Sequence, residues 1–563
     1  MIRPHFEHPR TRSGFACRLV LFVALGAVLL ASPALALERG VVAAPESLAS
    51  EVGASILRQG GNATDAAVAV QFALAVTFPS AGNLGGGGFM VVHLGSREFT
   101  VDYRETAPGA ATRDMYLDST GAVVPGLSLD THRAAGVPGT VAGMWLAHAR
   151  FGRLPWRRLI EPAIRLAQDG FRIQPWMAAS FAREKRNNFH DYYHGSAGDL
   201  LVQPELAATL RRIAADGPDG FYKGETARLI VAEMKRGGGL VTADDLAGYH
   251  AVLRNPLVGS YRGYRVVSMG PPSSGGVGLI QLLNMMERED PSRLGHDSPE
   301  YVRLVAEMES RVFADRAEYL GDPDSVQIPL DSLISKKYAA IRVLEIPPDA
   351  RTPPSEIRAG SYPVERELTT HFSIVDRWGN AVANTTTLND SYGSGIVVRG
   401  AGFLLNNEMD DFSAKPGVPN LYGVTGGAAN AIAPRKRMLS SMAPTLVLRP
   451  GGVWLVLGSP GGSTIFTTVF QVLVNRIDFG MALDWAVAAP RFHHQWPPTE
   501  PPADWLYVER DRGLDPGTIS ALEALGYVIH PREALGIVQA IEAVGGKAWG
   551  ASDPRGVGHV AFE

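Results

Sequence analysis

Cysteine is almost absent from this 563-residue chain, the single one being Cys17. That excludes disulfides within the chain, a thiol nucleophile and a thiolate metal site. The sequence also has no H-E-x-x-H zinc motif, no phosphate-binding G-x-x-x-x-G-K-[ST] loop and no G-x-S-x-G nucleophile elbow. Past residue 36 no apolar run is long enough to span a bilayer, so stable membrane insertion is not expected. Neither sign of charge dominates, with 53 basic against 57 acidic residues. Nothing favours nucleic acid, and the one compact basic run, Arg435-Lys436-Arg437, reads as loop or salt-bridge chemistry. No metal or organic cofactor is called for. His493-His494 is too isolated for a metal site and reads as structural.

What is present begins with the N-terminus. Arg3, Arg10, Arg12 and Arg18 precede the apolar stretch Leu19–Leu30, followed by Ala34-Leu35-Ala36. A basic segment, a short apolar core and small residues in A-x-A spacing mark a cleavable export signal over 1–36, with an uncleaved anchor as the alternative. The periplasm is the expected destination, or the medium. Cys17 would leave with the signal.

From Arg39 to about Pro363 the pattern is largely helical. Gly60-Gly61-Asn62 stops one helix and starts the next. Asn83-Leu84 and the four glycines 85–88 form a tight loop into the strand Phe89–Leu94. Close backbone packing is the reading preferred to a phosphate cradle there, because the loop precedes a strand. A second strand ends at Arg104-Glu105-Thr106. Helices are expected over much of 154–290 and over 299–320. Glu345–Arg366 carries five prolines and reads as an exposed, flexible connector.

The character then changes. Thr370–Asn389 alternates apolar and polar residues and breaks at Asp376–Asn380, which predicts a hairpin closed by Arg377-Trp378-Gly379 with Gly379 left-handed. In that register Asp376 faces Asn380, Thr369 faces Thr387, and Thr385, Thr387 and Asn389 share a face. A four-residue loop would slip the register by one. Thr369 has no histidine-type base in this pattern. Cutting the chain before it would free an α-amino group to act as base. Farther on, strands are expected at 442–448 and 453–457, then Gly458-Ser459-Pro460-Gly461-Gly462-Ser463 and a helix from Thr464. A glycine pair at a strand-to-helix turn turns N–H groups outward, which suits an oxyanion.

Arg104 with Ser440 and Ser441 can bind a carboxylate, because a guanidinium fork matches its geometry. Asn389, Glu408 and Asp411 can bind an ammonium. Singly each has a bland reading: a salt bridge, a capped turn, a solvated loop. Together they outline a pocket for an α-amino acid head group.

The blocks Gly60–Ala67, Asn83–Phe89, Tyr103–Pro108, Gly136–Gly139, Pro271–Gly276, Thr369-Thr370-His371, Leu404–Phe412, Leu439–Met442 and Gly458–Gly462 occur in one order along the chain. In them the chain resembles the γ-glutamyltransferases (γ-glutamyltranspeptidases, glutathione hydrolases) of the N-terminal-nucleophile hydrolase superfamily, over essentially its whole mature length. The resemblance implies an α/β, four-layer αββα sandwich. It implies self-cleavage between Leu368 and Thr369 into a large subunit, 37–368, and a small one, 369–563, that stay together as a heterodimer. It assigns Thr369 as nucleophile with its own amine as base, Thr387 as its orienting partner, and Gly461 and Gly462 as the oxyanion hole. Arg104, Ser440 and Ser441 would hold the α-carboxylate of a γ-glutamyl group, and Asn389, Glu408 and Asp411 its amine. Tyr422, in Lys415–Gly423, would be a lid. Donors would be glutathione and other γ-glutamyl compounds; acceptors would be water, amino acids or dipeptides. The rival readings are a cephalosporin or glutaryl acylase on the same scaffold and a secreted binding protein without activity.

Overall fold

The computed structural model describes residues 36–359, 370–415, 418, 420–421, 427–496 and 504–563. The export segment before Ala36, the junction Leu368–Thr369 and the lid residue Tyr422 lie outside the described residues.

Thirteen strands make the two large sheets: β1 (Val41–Ala44), β2 (Gly87–Leu94), β3 (Arg97–Asp102), β4 (Val252–Arg254), β5 (Leu257–Tyr261), β6 (Tyr264–Ser268), β7 (Thr370–Val375), β8 (Ala381–Thr387), β9 (Thr445–Arg449), β10 (Gly452–Gly458), β11 (Gln539–Val544), β12 (Lys547–Ser552) and β13 (His559–Phe562). One sheet runs in the order β13-β1-β7-β8-β2-β3-β4, the other β12-β11-β10-β9-β6-β5. Alternation along the strands decides the layering. Val41 and Ala43 of β1 join Leu446 and Leu448 of β9 in an apolar cluster shared by both sheets. Val42 and Ala44 face the other way, into a core with helices α1 (Ser47–Arg58) and α2 (Ala63–Thr77). Val447 likewise faces a core with α3 (Gly275–Met286), α4 (Pro299–Tyr319) and α5 (Thr464–Ile477). Sheets buried on both faces, each covered by helices, give the four-layer αββα sandwich read from the resemblance.

The helix break at Gly60–Asn62 has its expected cause. Gly60 is left-handed, and Asn62 starts α2 in a reciprocal cap with Asp65. The four glycines serve close packing. A Cβ on Gly85, Gly86 or Gly88 would fall 2.0–2.3 Å from the carbonyl oxygens of Leu404, Thr387 or Thr385. The β7–β8 hairpin has the register read from the sequence, Val375 opposite Ala381 through Thr370 opposite Thr386, with Gly379 at φ +80°. Asp376 accepts from the N–H groups of Trp378, Asn380 and Ala63, tying the hairpin turn to the start of α2.

Three expectations need correction. Residues 252–268, placed in a helical region, are strands β4–β6; their Val, Leu and Tyr content and their pairing with β3 and β9 outweigh the helical surroundings. Asn389 lies beyond the end of β8 at φ +74°, so a left-handed turn, and not strand alternation, aims its side chain. The described part of the proline-rich connector is mostly exposed, as read, but it is anchored to the body of the protein. Arg303 donates to the carbonyls of Pro347 and Pro348 (2.8 and 2.6 Å), Arg311 to Glu345 (2.6 Å), Arg342 to Arg358 (3.1 Å) and Trp496 to Pro354 (2.8 Å). Prolines bring carbonyls without N–H partners, and the multiple donors of arginine take them up.

Candidate active site

Arg104 follows β3, and the strand delivers it into the protein with no solvent exposure. Its backbone N–H caps on Asp102 (3.0 Å), and its carbonyl accepts from the Tyr249 hydroxyl (2.8 Å). The guanidinium Nε donates to the Met438 carbonyl (3.2 Å). One terminal nitrogen reaches the Leu439 carbonyl (3.1 Å) and Asp411 (2.5 Å). The other pairs with Glu408 and lies 3.5 Å from Glu105. Burial alone would push the guanidinium down, but chiefly Glu408 and Asp411 hold it above its ordinary value. Arg104 therefore stays charged and joins two stretches of chain, 408–411 and 438–439, that are remote in sequence.

Those stretches are themselves stitched. Asn430 donates to the Asp411 carbonyl (2.7 Å) and accepts from the Leu439 N–H (3.1 Å). Asn406 receives the N–H of Glu408 (3.0 Å) and holds the Gly85 and Gly136 carbonyls (2.7 and 3.0 Å). Ser440 and Ser441 are fully buried. The Ser440 N–H donates to Pro272 (2.9 Å), and its carbonyl takes the N–H and hydroxyl of Ser274, each at 2.6 Å. Arg316, on α4, donates to the hydroxyls of Ser441 and Ser274, both at 2.5 Å.

Asn389 donates its backbone N–H to the Thr387 hydroxyl (2.7 Å) and its side-chain amide to the Asn407 carbonyl (3.0 Å). Asn389 Oδ1, Glu408 Oε2 and Asp411 Oδ1 are buried acceptors with no hydrogen-bond donor among the described residues. A buried acceptor left open is costly, so three of them on the residues read as an ammonium site mark a place for a donor-rich cation. Burial raises the carboxyl of Asp411 well above its usual range and that of Glu408 above it, with Arg104 opposing both. Asp410 turns away. It accepts from the Ser128 hydroxyl (2.6 Å) and the Leu421 N–H (3.0 Å), and burial pushes it up to about 6.

Gly461 and Gly462 stand at φ +137° and +64° between β10 and α5, conformations that favour glycine. Their carbonyls close the first turn of α5, accepting from the N–H groups of Thr464 (3.2 Å) and Ile465 (3.1 Å). Among the described residues no acceptor takes the N–H groups of Gly461 and Gly462, which stand at the positive end of a fourteen-residue helix. A few residues earlier, Gly458 packs on the ring of His371 in β7, where a Cβ would come within 2.4 Å. His371 is spent on Thr385 (2.9 Å) and Ser373 (3.1 Å), and burial lowers it to about 3. It stays neutral and is committed to the sheet. His493 and His494 are buried core groups: Thr467 holds the first, Ser310 and Asp504 the second.

Arg104, Glu408, Asp411, Ser440 and Ser441 thus meet in one cluster, and Asn389 and Thr387 join it through Asn407 and the chain into Glu408. Sequence reasoning missed Glu105, Arg316, Asn406 and Asn430. Glu105 and Asn406 sit inside the blocks quoted above; Arg316 and Asn430 carry no local signal.

The chain is similar to known proteins over most of its length. The family model described as gamma-glutamyltranspeptidase matches residues 49–563. The chain is 50% identical over 549 residues to the glutathione hydrolase proenzyme of Pseudomonas aeruginosa, covering 96% of this chain and 97% of that one. It is 49% identical over 535 residues to the glutathione hydrolase proenzyme of Escherichia coli, covering 92% and 91%. Among solved structures, cephalosporin acylase from Bacillus halodurans matches with a TM-score of 0.79 at 25% identity, over 98% of both chains. With a sandwich of the N-terminal-nucleophile type and a match over nearly its whole length, the chain belongs to the γ-glutamyltranspeptidase family.

Proposed function

We propose that this chain is an exported precursor that cuts itself between Leu368 and Thr369 and then transfers γ-glutamyl groups from glutathione and related amides to water, amino acids or dipeptides. The observation that carries the reading is Arg104 paired with Glu408 and Asp411, which together with Asn389 each keep one open, buried acceptor among the described residues. A free α-amino acid head group fits both halves, a carboxylate that can compete for Arg104 and an ammonium with three N–H donors for the open acceptors. On binding, the head group's carboxylate replaces Glu408 and Asp411 on the guanidinium, beside Ser440 and Ser441, and its ammonium takes the acceptors so released.

Anchoring both ends of the head group leaves the γ-carbonyl as the free end of a short side chain, positioned for the Thr369 hydroxyl. In the precursor that hydroxyl attacks the Leu368 carbonyl, and an N-to-O acyl shift precedes hydrolysis of the ester. In the mature enzyme the new α-amine takes the hydroxyl proton, Thr387 orients the nucleophile, and the N–H groups of Gly461 and Gly462 receive the developing oxyanion. Each such donor contributes roughly 3 to 4 kcal/mol to barrier lowering. The amine product leaves, and water or an amino acid resolves the γ-glutamyl ester. Tyr422 would shield the site, and the periplasm is the expected compartment. Among the described residues no helix is long and apolar enough to cross a membrane.

Intact mass and N-terminal sequencing of wild type against Thr369→Ala test the maturation step. Two chains with a new terminus at Thr369, and one uncut inactive chain in the variant, are expected; a wild type that stays whole yet active overturns the mechanism. An acylase of the same fold is the second reading, favoured by the Bacillus halodurans match. Preference for a glutaryl amide over glutathione would establish it, because a glutaryl group has no ammonium for Asp411.

A further inference from the structure

Glu105 follows Arg104 in sequence and has no role in the reading above. Its side chain is fully enclosed. Neither carboxyl oxygen receives a hydrogen bond from another residue among those described. It is seated against glycine: a Cβ on Gly87 would come 2.6 Å from Glu105 Oε2, and one on Gly136 would come 3.0 Å from Glu105 Cβ. Its polar neighbours are Arg104 at 3.5 Å and Glu408, which is within hydrogen-bond reach. Tyr103, two residues before it, and Tyr222 and Tyr249 from two other segments lie around it, each hydroxyl pushed up by burial and therefore neutral.

Arg104 and Arg316 act on the head-group cluster as cations. Glu408 and Asp411 act on it as acids, as does Asp410, which is turned to Ser128 and Leu421 yet acts on Asp411. An ionised Glu105 would be a buried anion beside another carboxylate, offset only by its own backbone N–H and the guanidinium at 3.5 Å. A neutral one has an O–H to give, and Glu408 is in reach.

We propose that Glu105 is a protonated positioning residue, donating its O–H to Glu408 and so fixing the acceptor geometry offered to the α-ammonium of the γ-glutamyl donor. Burial first, and the Glu408 charge next, hold the Glu105 carboxyl well above the usual carboxylate range, in keeping with this. The inference rests on the γ-glutamyl reading of the site, and its test separates the two.

Mature wild type, Glu105→Leu and Glu105→Gln are compared on a γ-glutamyl anilide and by infrared difference spectroscopy at neutral pH. Failure of the wild type to turn over the anilide sinks the γ-glutamyl reading; the spectroscopic arm needs no substrate. With turnover established, Glu105→Leu is expected to lower kcat/KM roughly tenfold or more, the cost of a lost bond to a charged group. Glu105→Gln, which can still donate to Glu408 without a charge, recovers most of that loss. The wild-type-minus-Gln spectrum shows a protonated-carboxyl C=O band. A Gln variant as impaired as the Leu variant means that the carboxylate itself is needed as a partner of Arg104, and overturns the proposal. Absence of the band overturns it as well, even where Glu105→Leu fails to fold.

Discussion

Replacing Asp411 by asparagine removes one charge from the head-group site and changes almost nothing in shape. In the empty site Asp411 accepts from Arg104 at 2.5 Å and keeps Oδ1 open. An asparagine oxygen can still serve Arg104, so the fold should survive. What disappears is a charge-assisted bond to the substrate ammonium in a fully buried place. Such a bond contributes about 2 to 3 kcal/mol. At about 1.4 kcal/mol per decade, kcat/KM for a γ-glutamyl anilide should fall roughly 30- to 140-fold. The matched glutaryl anilide has the same leaving group and carbonyl but no ammonium, and its kcat/KM should change by less than about threefold. Measuring both substrates on wild type and variant gives the double difference directly. Equal losses on the two would refute the argument, because they would place Asp411 in general support of Arg104 and not in ammonium recognition.

Other consequences can be measured independently. Gly461→Ala should lower kcat far more than it changes KM in steady-state assays, because its Cβ would sit 2.3 Å from Thr464 Oγ1 and displace a group that acts in the transition state. Gly86→Ala, with a Cβ 2.0 Å from the Thr387 carbonyl, should yield little folded protein by circular dichroism and gel filtration; full recovery of native protein would show that β2 and β8 can part there. Glu309 is buried and its carboxyl is raised well above 4.5, chiefly by burial, with the His494 N–H opposing. A raised folded value means that its contribution to stability is complete below about pH 4.5 and is lost as pH rises through the folded value. Wild-type Tm should therefore fall more steeply than that of Glu309→Gln between about pH 5 and pH 9, and parallel curves would contradict this.

Legibility followed the range of the interactions. The β7–β8 hairpin could be registered from sequence because its turn is local: Gly379 can take positive φ, and Asp376 reaches only to Asn380. The break before α2 was equally local, a glycine and an asparagine cap. The connector was misread because proline and polar composition say what a segment can do alone. They do not show Arg303, Arg311 and Arg342 arriving from helices to hold its carbonyls. Asn389 was placed on the right cluster for an incomplete reason, since its left-handed turn depends on the Thr387 hydroxyl and the Asn407 carbonyl.

Sequence alone determined the candidate residue types, their order in matching blocks, and the hairpin register that sets Thr370 opposite Thr386. Those depend on covalent neighbours, periodicity and turn chemistry. Only the tertiary structure decided that one guanidinium gathers Glu408, Asp411, Met438 and Leu439, that these two carboxylates and Asn389 each keep an open acceptor among the described residues, and that Glu105 lies enclosed against Gly87. Desolvation and coulombic interactions act through space, between residues hundreds of positions apart, and no local pattern carries them.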